Sequence, residues 1–352
     1  MTPVPLTIVT GFLGAGKTTL LNRILTASHG LRIAVLVNDF GAVNIDAQMI
    51  VNVEGETYSL SNGCICCTIR DDLVRAALDV LNRPEPPEYI IIETSGVSDP
   101  LEVALTLRPI NAIAIDSILT VIDAEQIVSL DRQYAVLAMN QVGMADIVIL
   151  NKVDLVDSAG LEKARAYIRR VMPNSRVIET THAQVPLPLI LNVGAFDAAR
   201  LAARLPEDIH VHDVDAPAGH DHPHPDHALA FSTWTYTNPH AMSLNALRRL
   251  VENLPPTIYR AKGTCYLADE PDRPAALQVV GKRASLTIED GAWAGRMPLN
   301  QIVFIASHGG IDPDELNSQL EACWVENAPR NELERITNSA LAWLRRIRQA
   351  EK

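Results

Sequence analysis

The chain has 352 residues, 47% hydrophobic and 20% charged, the balance of a folded protein long enough for two domains with sizeable cores. Its formal net charge of −12 argues against sequence-independent binding to nucleic acid or to an anionic membrane, and no apolar run approaches the ~18 residues of a membrane span. The opening Met1–Pro5 has no charged and apolar leader, and three of the five cysteines crowd into Cys64–Cys67 instead of spacing out as a disulfide framework, so a reducing, cytoplasmic setting is expected.

Residues 1–205 alternate β-branched runs with helical stretches, which predicts an α/β domain: a parallel sheet with flanking helices. The first strand, Leu6–Val9, runs into Gly11-Phe12-Leu13-Gly14-Ala15-Gly16-Lys17-Thr18, and a helix follows over Lys17–Thr26. This is the spacing of a phosphate-binding loop, Gly-x-x-x-x-Gly-Lys-Thr, in the strand–loop–helix setting that the chemistry requires. Glycines let backbone N–H groups close on phosphate oxygens, Lys17 supplies charge to the β- and γ-phosphates, and the Thr18 hydroxyl is a ligand for Mg²⁺. Gly11, Gly14, Ala15, Gly16, Lys17, Thr18 and Thr19 are therefore candidate nucleotide-binding residues, with the helix N-terminus pointing at the anion.

A second strand is expected over Ile33–Val37, then a small hairpin over Met49–Leu60 leading into Asn62-Gly63-Cys64-Ile65-Cys66-Cys67. Thiolates are soft ligands suited to Zn²⁺ and related ions, and the helix predicted over Asp71–Asn82 would favour the thiolate form. Three sulfurs in so short a span cannot all meet one ion without an irregular backbone, so two are expected to ligate, Cys64 with Cys66 or Cys67. A thiol/disulfide switch is the redox alternative. Cys265 and Cys323 read as small buried hydrophobes.

The strand Tyr89–Glu93 ends on a carboxylate followed by Thr94-Ser95-Gly96, placing Glu93 to orient Mg²⁺ and Gly96 to give the γ-phosphate access to backbone. After a helix over Pro100–Leu107 and a strand over Ser117–Ile122, the strand Ile147–Leu150 delivers Asn151-Lys152-Val153-Asp154. Asp154 can accept hydrogen bonds from the N1–H and exocyclic amine of guanine, Lys152 can lay its stem along the base and Asn151 can brace the loop, so GTP and GDP are the expected ligands. The helix Ser158–Val171 and strand Arg176–Glu179 complete the domain.

Residues 206–227 hold six of the ten histidines, several Pro and Asp residues and no Lys or Arg, and read as an exposed linker. Imidazoles bind Zn²⁺, Co²⁺ and Ni²⁺, which makes His220, His222, His224 and His227 candidates for an accessory metal site. A smaller α+β domain spans 228–325, with strands at Phe231–Tyr236, Ile258–Leu267, Leu277–Val280 and Gln301–Ala306 and helices at Leu244–Leu254 and Asp314–Cys323. Beyond Pro329, Leu333, Ile336, Ala340, Trp343 and Ile347 recur at helical spacing and predict an amphipathic helix over 329–350, packed on the small domain or bound to a partner.

Taken in order, Gly11–Thr19, the Cys-x-Cys-Cys run, Glu93-Thr94-Ser95-Gly96 and Asn151–Asp154 resemble the CobW-type P-loop GTPase metallochaperones. Ile258-Tyr259-Arg260-Ala261-Lys262-Gly263 and Gln301–Ile305 resemble that family's C-terminal domain; the likeness covers about residues 5–323. The resemblance implies a P-loop NTPase fold and slow GTP hydrolysis, coupled to delivery of a transition metal (zinc, or else cobalt or iron) to a client metalloprotein. It also admits a nucleotide-dependent homo-oligomer. By match, Lys17, Glu93 and Asp39 would serve hydrolysis, Thr18 and Glu93 would hold Mg²⁺, and Cys64, Cys66 and Cys67 would hold the transferred metal. Asn38-Asp39-Phe40-Gly41 corresponds to the first switch segment, where the family carries Asn-Glu-Phe-Gly and then an acid. Here Asp39 is shorter, and Ala42 can neither ligate nor act as a base. Two other readings are a GTPase assembling a cobalamin or metalloenzyme cofactor and a non-catalytic metal buffer.

Overall fold

The structure is a computed structural model that describes residues 3–27, 31–38, 57–59, 68–96, 98–130, 132–191, 211–213, 231–293 and 297–327. The described residues fall into two compact units, one up to residue 191 and one formed by 211–213 and 231–327.

Seven parallel strands build the first unit: β1 (Val4–Thr10), β2 (Ile33–Asn38), β3 (Thr57–Ser59), β4 (Tyr89–Thr94), β5 (Ile113–Asp123), β6 (Ile147–Asn151) and β7 (Val177–Glu179), in the spatial order β3-β2-β4-β1-β5-β6-β7. The expected parallel α/β sheet is borne out. The helices are α1 (Lys17–Thr26), α2 (Thr68–Leu81), α3 (Pro100–Leu107), α4 (Arg132–Met144), α5 (Ser158–Val171) and the short α6 (Leu187–Ile190). Every residue of β4 and β6 is buried, which is why these strands read as unbroken apolar runs: helices cover both faces of a parallel sheet. Local chemistry starts the helices. Asp99 accepts from the Leu101 N–H at 2.8 Å with Pro100 in the first turn, and Asp157 accepts from Gly160 N–H at 2.7 Å.

Register brings four strand ends to one edge. Val9 lies beside Glu93, Thr10 beside Thr120, and Asp123 beside Asn151. The chain lays β4 on one side of β1 and β5 on the other, so the loop after β1 sits where an open α/β sheet binds ligands.

Of the segment expected as a hairpin over Met49–Leu60, only Thr57–Ser59 is described, and it pairs parallel with Val35–Val37 of β2; the rest of that expectation lies outside the described residues. Alternation along a segment reports a half-buried strand but not its partner, and only a crossover connection can make a parallel pair. Helix α4 was not expected.

The second unit is a six-stranded sheet of order β12-β11-β10-β13-β9-β8. Its strands are β8 (Val211–Asp213), β9 (Phe231–Asn238), β10 (Ile258–Cys265), β11 (Ala275–Val280), β12 (Arg283–Ile288) and β13 (Asn300–Ser307), with helices α7 (Leu244–Glu252) and α8 (Pro313–Glu321). All pairings are antiparallel except β8 with β9. Strand β8 falls inside the stretch read as linker; a three-residue edge strand needs no core of its own, so composition does not reveal it. The core packs Trp234, Leu247, Leu277, Phe304, Leu316 and Leu320 between sheet and helices. Cys265 and Cys323 lie within this core, unbonded to each other. Burial pushes the Cys265 thiol up to about 12, reinforced by the neighbouring Cys323, and pushes Cys323 up to about 11 against the pull of Arg249. Both are inert packing residues, as expected. No helix among the described residues is long and apolar enough to cross a membrane.

Candidate functional site

The loop between β1 and α1 is shaped by glycines where no other residue fits. Gly11 has φ 139° and a Cβ there would run into the Val121 carbonyl; Gly16 has φ 109° and a Cβ would strike the Asn151 amide. Lys17 is buried and donates from Nζ to the Phe12 carbonyl at 3.2 Å, holding the ammonium over the loop's concave side. Phe12 packs against Tyr134 of α4 in a tilted pair, ring centroids 5.1 Å apart.

Glu93 is 1% exposed at the end of β4, and its Oε1 accepts from the Thr18 hydroxyl at 3.1 Å. A hydroxyl and a carboxylate this close are hard oxygen donors of the kind that Mg²⁺ takes, with room in its coordination shell for phosphate and water. The segment after β4 is tied down: the Gln141 amide of α4 donates to the Gly96 and Ser98 carbonyls, each at 3.3 Å, and the Ser95 and Ser98 hydroxyls lie 2.7 Å apart. Gly96 packs so tightly on Leu13 that a Cβ would overlap its side chain.

Asn151, 2% exposed at the end of β6, bridges two loops. Its amide nitrogen donates to the Ala15 carbonyl at 2.9 Å, and its oxygen accepts from the Ala183 N–H at 2.8 Å. Because both partners are backbone groups of fixed polarity, the amide orientation is determined. The segment it holds after β7 is strained: His182 and Ala183 have φ 51° and 53°, and no glycine relieves them. Lys152 is also left-handed, at φ 60°, and its ammonium donates to Asp123 Oδ2 at 2.7 Å. Asp123 Oδ1 accepts from the Glu125 and Gln126 N–H groups at 2.9 and 3.2 Å. Asp154 is exposed on the turn Val153–Leu155, open to a ligand. Thr19 is exposed on α1.

The structure therefore gathers Gly11–Thr18, Glu93, Gly96, Asn151 and Lys152 at one sheet edge. Asp39, Cys64, Cys66, Cys67, His220, His222, His224 and His227 lie outside the described residues. Among the described residues no group of three or more His, Cys, Asp or Glu is placed to hold a metal ion.

Sequence reasoning missed Asp123, Gln141 and the segment 181–184. Asp123 carried the same signal as Glu93, a carboxylate closing a buried apolar strand. Gln141 and Ala183 carried none, because their roles come from partners 45 and 32 residues away.

Comparison with known proteins decides the family. The CobW/HypB/UreG nucleotide-binding domain matches residues 5–179, and the cobalamin synthesis protein CobW C-terminal domain matches residues 231–324. The chain belongs to the CobW family. Among curated CobW relatives, the zinc chaperone CobW of a Sinorhizobium species is 30% identical over 346 residues, covering 89% of this chain and 94% of that protein. The zinc-regulated GTPase metalloprotein activator 1 of Dictyostelium discoideum is 35% identical over 234 residues, 55% of this chain, and the match spans 49% of that protein's length. A crystal structure of the Zn(II)-bound YjiA GTPase from E. coli is 25% identical, covers 92% of this chain and 99% of that one, and superposes with a TM-score of 0.41. The resemblance read from the motifs is the one these matches find.

Proposed function

We propose that this CobW-family chain is a cytoplasmic GTP-binding and GTP-hydrolysing metallochaperone that carries a transition metal, zinc first, on Cys64, Cys66 and Cys67 to a client metalloprotein. The observation that carries the reading is a register. Ser59, the last residue of β3, pairs with Val37, and Val37 pairs with Glu93. Two strand spacings, roughly 10 Å, therefore separate Glu93 from the point where residues 60–67 begin. In this reading, gain or loss of the γ-phosphate at Glu93 acts on the thiols across that short distance.

In this reading the Gly11–Gly16 backbone and Lys17 hold the β- and γ-phosphates, and Asp154 and Lys152 read guanine. The loop held by Asn151 closes the pocket against the base. Thr18 and Glu93 would hold Mg²⁺, which when bound neutralises charge on the phosphate oxygens. Thiolates at Cys64 and Cys66 or Cys67 favour a soft ion, and the names of the relatives support zinc.

The test measures the Zn²⁺ affinity of the full chain with GDP, with a non-hydrolysable GTP analogue and without nucleotide, alongside GTP turnover in wild type and Lys17→Ala. A coupling of about 1–3 kcal/mol, roughly 5–150-fold in affinity, is expected, together with turnover that Lys17→Ala abolishes. Equal Zn²⁺ affinity in all three states would end the coupled-delivery reading and leave a metal buffer.

A further inference from the structure

Among the described residues, two helices do not fill the helix-bearing face of the second unit's sheet. Six strands at ~4.8 Å spacing make a face about 29 Å wide, whereas two helices about 10 Å across cover about 20 Å. Helix α8 ends over the β9 side: the Trp324 indole donates to the Tyr236 hydroxyl of β9 at 2.8 Å, and Ser243 N–H, at the start of α7, donates to the Cys323 carbonyl at 2.8 Å. Helix α7 packs beside α8, further from that edge. The opposite edge, β11 and β12, is left with a groove of about 250 Å³ between α7 and the sheet.

Asn245, Arg248, Glu252 and Ser285 edge the groove, and six of its ten lining residues are apolar. From α7 come Leu244, Leu247 and Val251, and from the strands Leu277, Ala284 and Leu286. Register puts Leu277 opposite Leu286 and Val279 opposite Ala284, so these side chains share the helix-bearing face, and Ala284 is exposed on it. The volume falls below the ~300–1,000 Å³ of clefts that enclose small molecules, and suits protruding side chains instead.

We propose that residues 333–347 of this same chain dock in this groove as a third helix on the sheet. Their apolar positions, Leu333, Ile336, Ala340, Trp343 and Ile347, repeat at alternating spacings of three and four, one continuous stripe. As a helix that stripe is about 21 Å long, matching the ~20 Å of a six-residue strand. The chain can reach the groove. Val325 N–H donates to the Ala241 carbonyl at 3.0 Å, and Ala241 is three residues, at most ~11 Å, from Leu244 at the groove. Six residues from Asn327 to Leu333 can span up to ~20 Å. The docking stands on the second unit alone and is independent of the nucleotide chemistry.

Hydrogen exchange on the full chain, at two protein concentrations, tests it. Residues 333–347 are expected to exchange about tenfold or more slowly than unprotected chain. Either Ala284→Arg in the groove or Trp343→Asp in the segment should abolish that protection while leaving α8, β10 and β13 as protected as in wild type. A chain ending at Pro329 should exchange faster in α7 and β12. Three results would overturn the proposal. One is rapid exchange of 333–347 in wild type, the behaviour of a segment kept for a separate partner. Another is protection that rises with protein concentration, the signature of a second copy. The last is protection indifferent to Ala284→Arg, which places the segment elsewhere.

Discussion

Replacing Asn151 by alanine removes the clasp between the phosphate loop and the segment after β7. Its cost can be worked from the two bonds. The Ala183 N–H is a single donor on a residue with 0% exposure, so losing the Asn151 oxygen strands it, at about 1–3 kcal/mol. The Ala15 carbonyl loses one of two acceptor sites, at about 1 kcal/mol. Asn151→Ala should therefore lower the unfolding free energy of the first unit by about 2–4 kcal/mol in urea titrations. The loss should persist with GDP present, because the held loop is part of the pocket. Asn151→Asp gives an internal control. It keeps the acceptor for Ala183 but turns a buried carboxylate toward the Ala15 carbonyl, so it should be no milder than alanine despite preserving shape. A loss below about 1 kcal/mol for Asn151→Ala, with unchanged GDP affinity, would show that neither bond matters.

Asp123→Asn takes the charge from the partner of Lys152. That ion pair is one-third exposed on the lysine side and closed on the aspartate side, so a loss of about 1.5–2 kcal/mol is expected, a 10–30-fold rise in GDP Kd. Inorganic phosphate inhibition should stay unchanged, since the phosphate loop is untouched; a rise in both would make Asp123 merely structural. The second unit should weaken in alkali. Folding raises the Cys265 thiol from 9.0 to about 12, so the unfolded chain releases its proton first and stability, intact below pH 9, falls as pH climbs toward 12. By pH 11 this thiol alone should remove about 2–3 kcal/mol. Urea midpoints of wild type and Cys265→Ala at pH 8, 9.5 and 11 check it: the gap between them should shrink with pH, and a constant gap refutes the mechanism.

The nucleotide site was legible because its chemistry is local. Gly11–Thr18 needs its glycines in consecutive register, and Glu93 and Asn151 close apolar runs that can only be buried strands. Helix α4 escaped because Ala135, Val136, Leu137, Ala138 and Met139 run together without a polar face, leaving no period to read. Strand β12 escaped for the opposite reason: as an edge strand it carries Arg283, Ser285 and Thr287 on its open face and only Leu286 fully buried. The bend at His182 and Ala183 has no signature of its own, since two non-glycine residues are held left-handed by a side chain on another strand.

The register Ser59–Val37–Glu93 also bears on how such a protein can change over generations. Strand β3 is three residues long and outermost, paired only to β2 among the described strands, whereas Glu93 ends a strand bonded on both sides. A ladder on one side among the described strands constrains β3 less than ladders on both sides constrain the buried Glu93. If residues 60–67 carry an ion as proposed, a lineage can retune which ion they prefer, or lose the thiols altogether, without rebuilding the nucleotide pocket two strands further in.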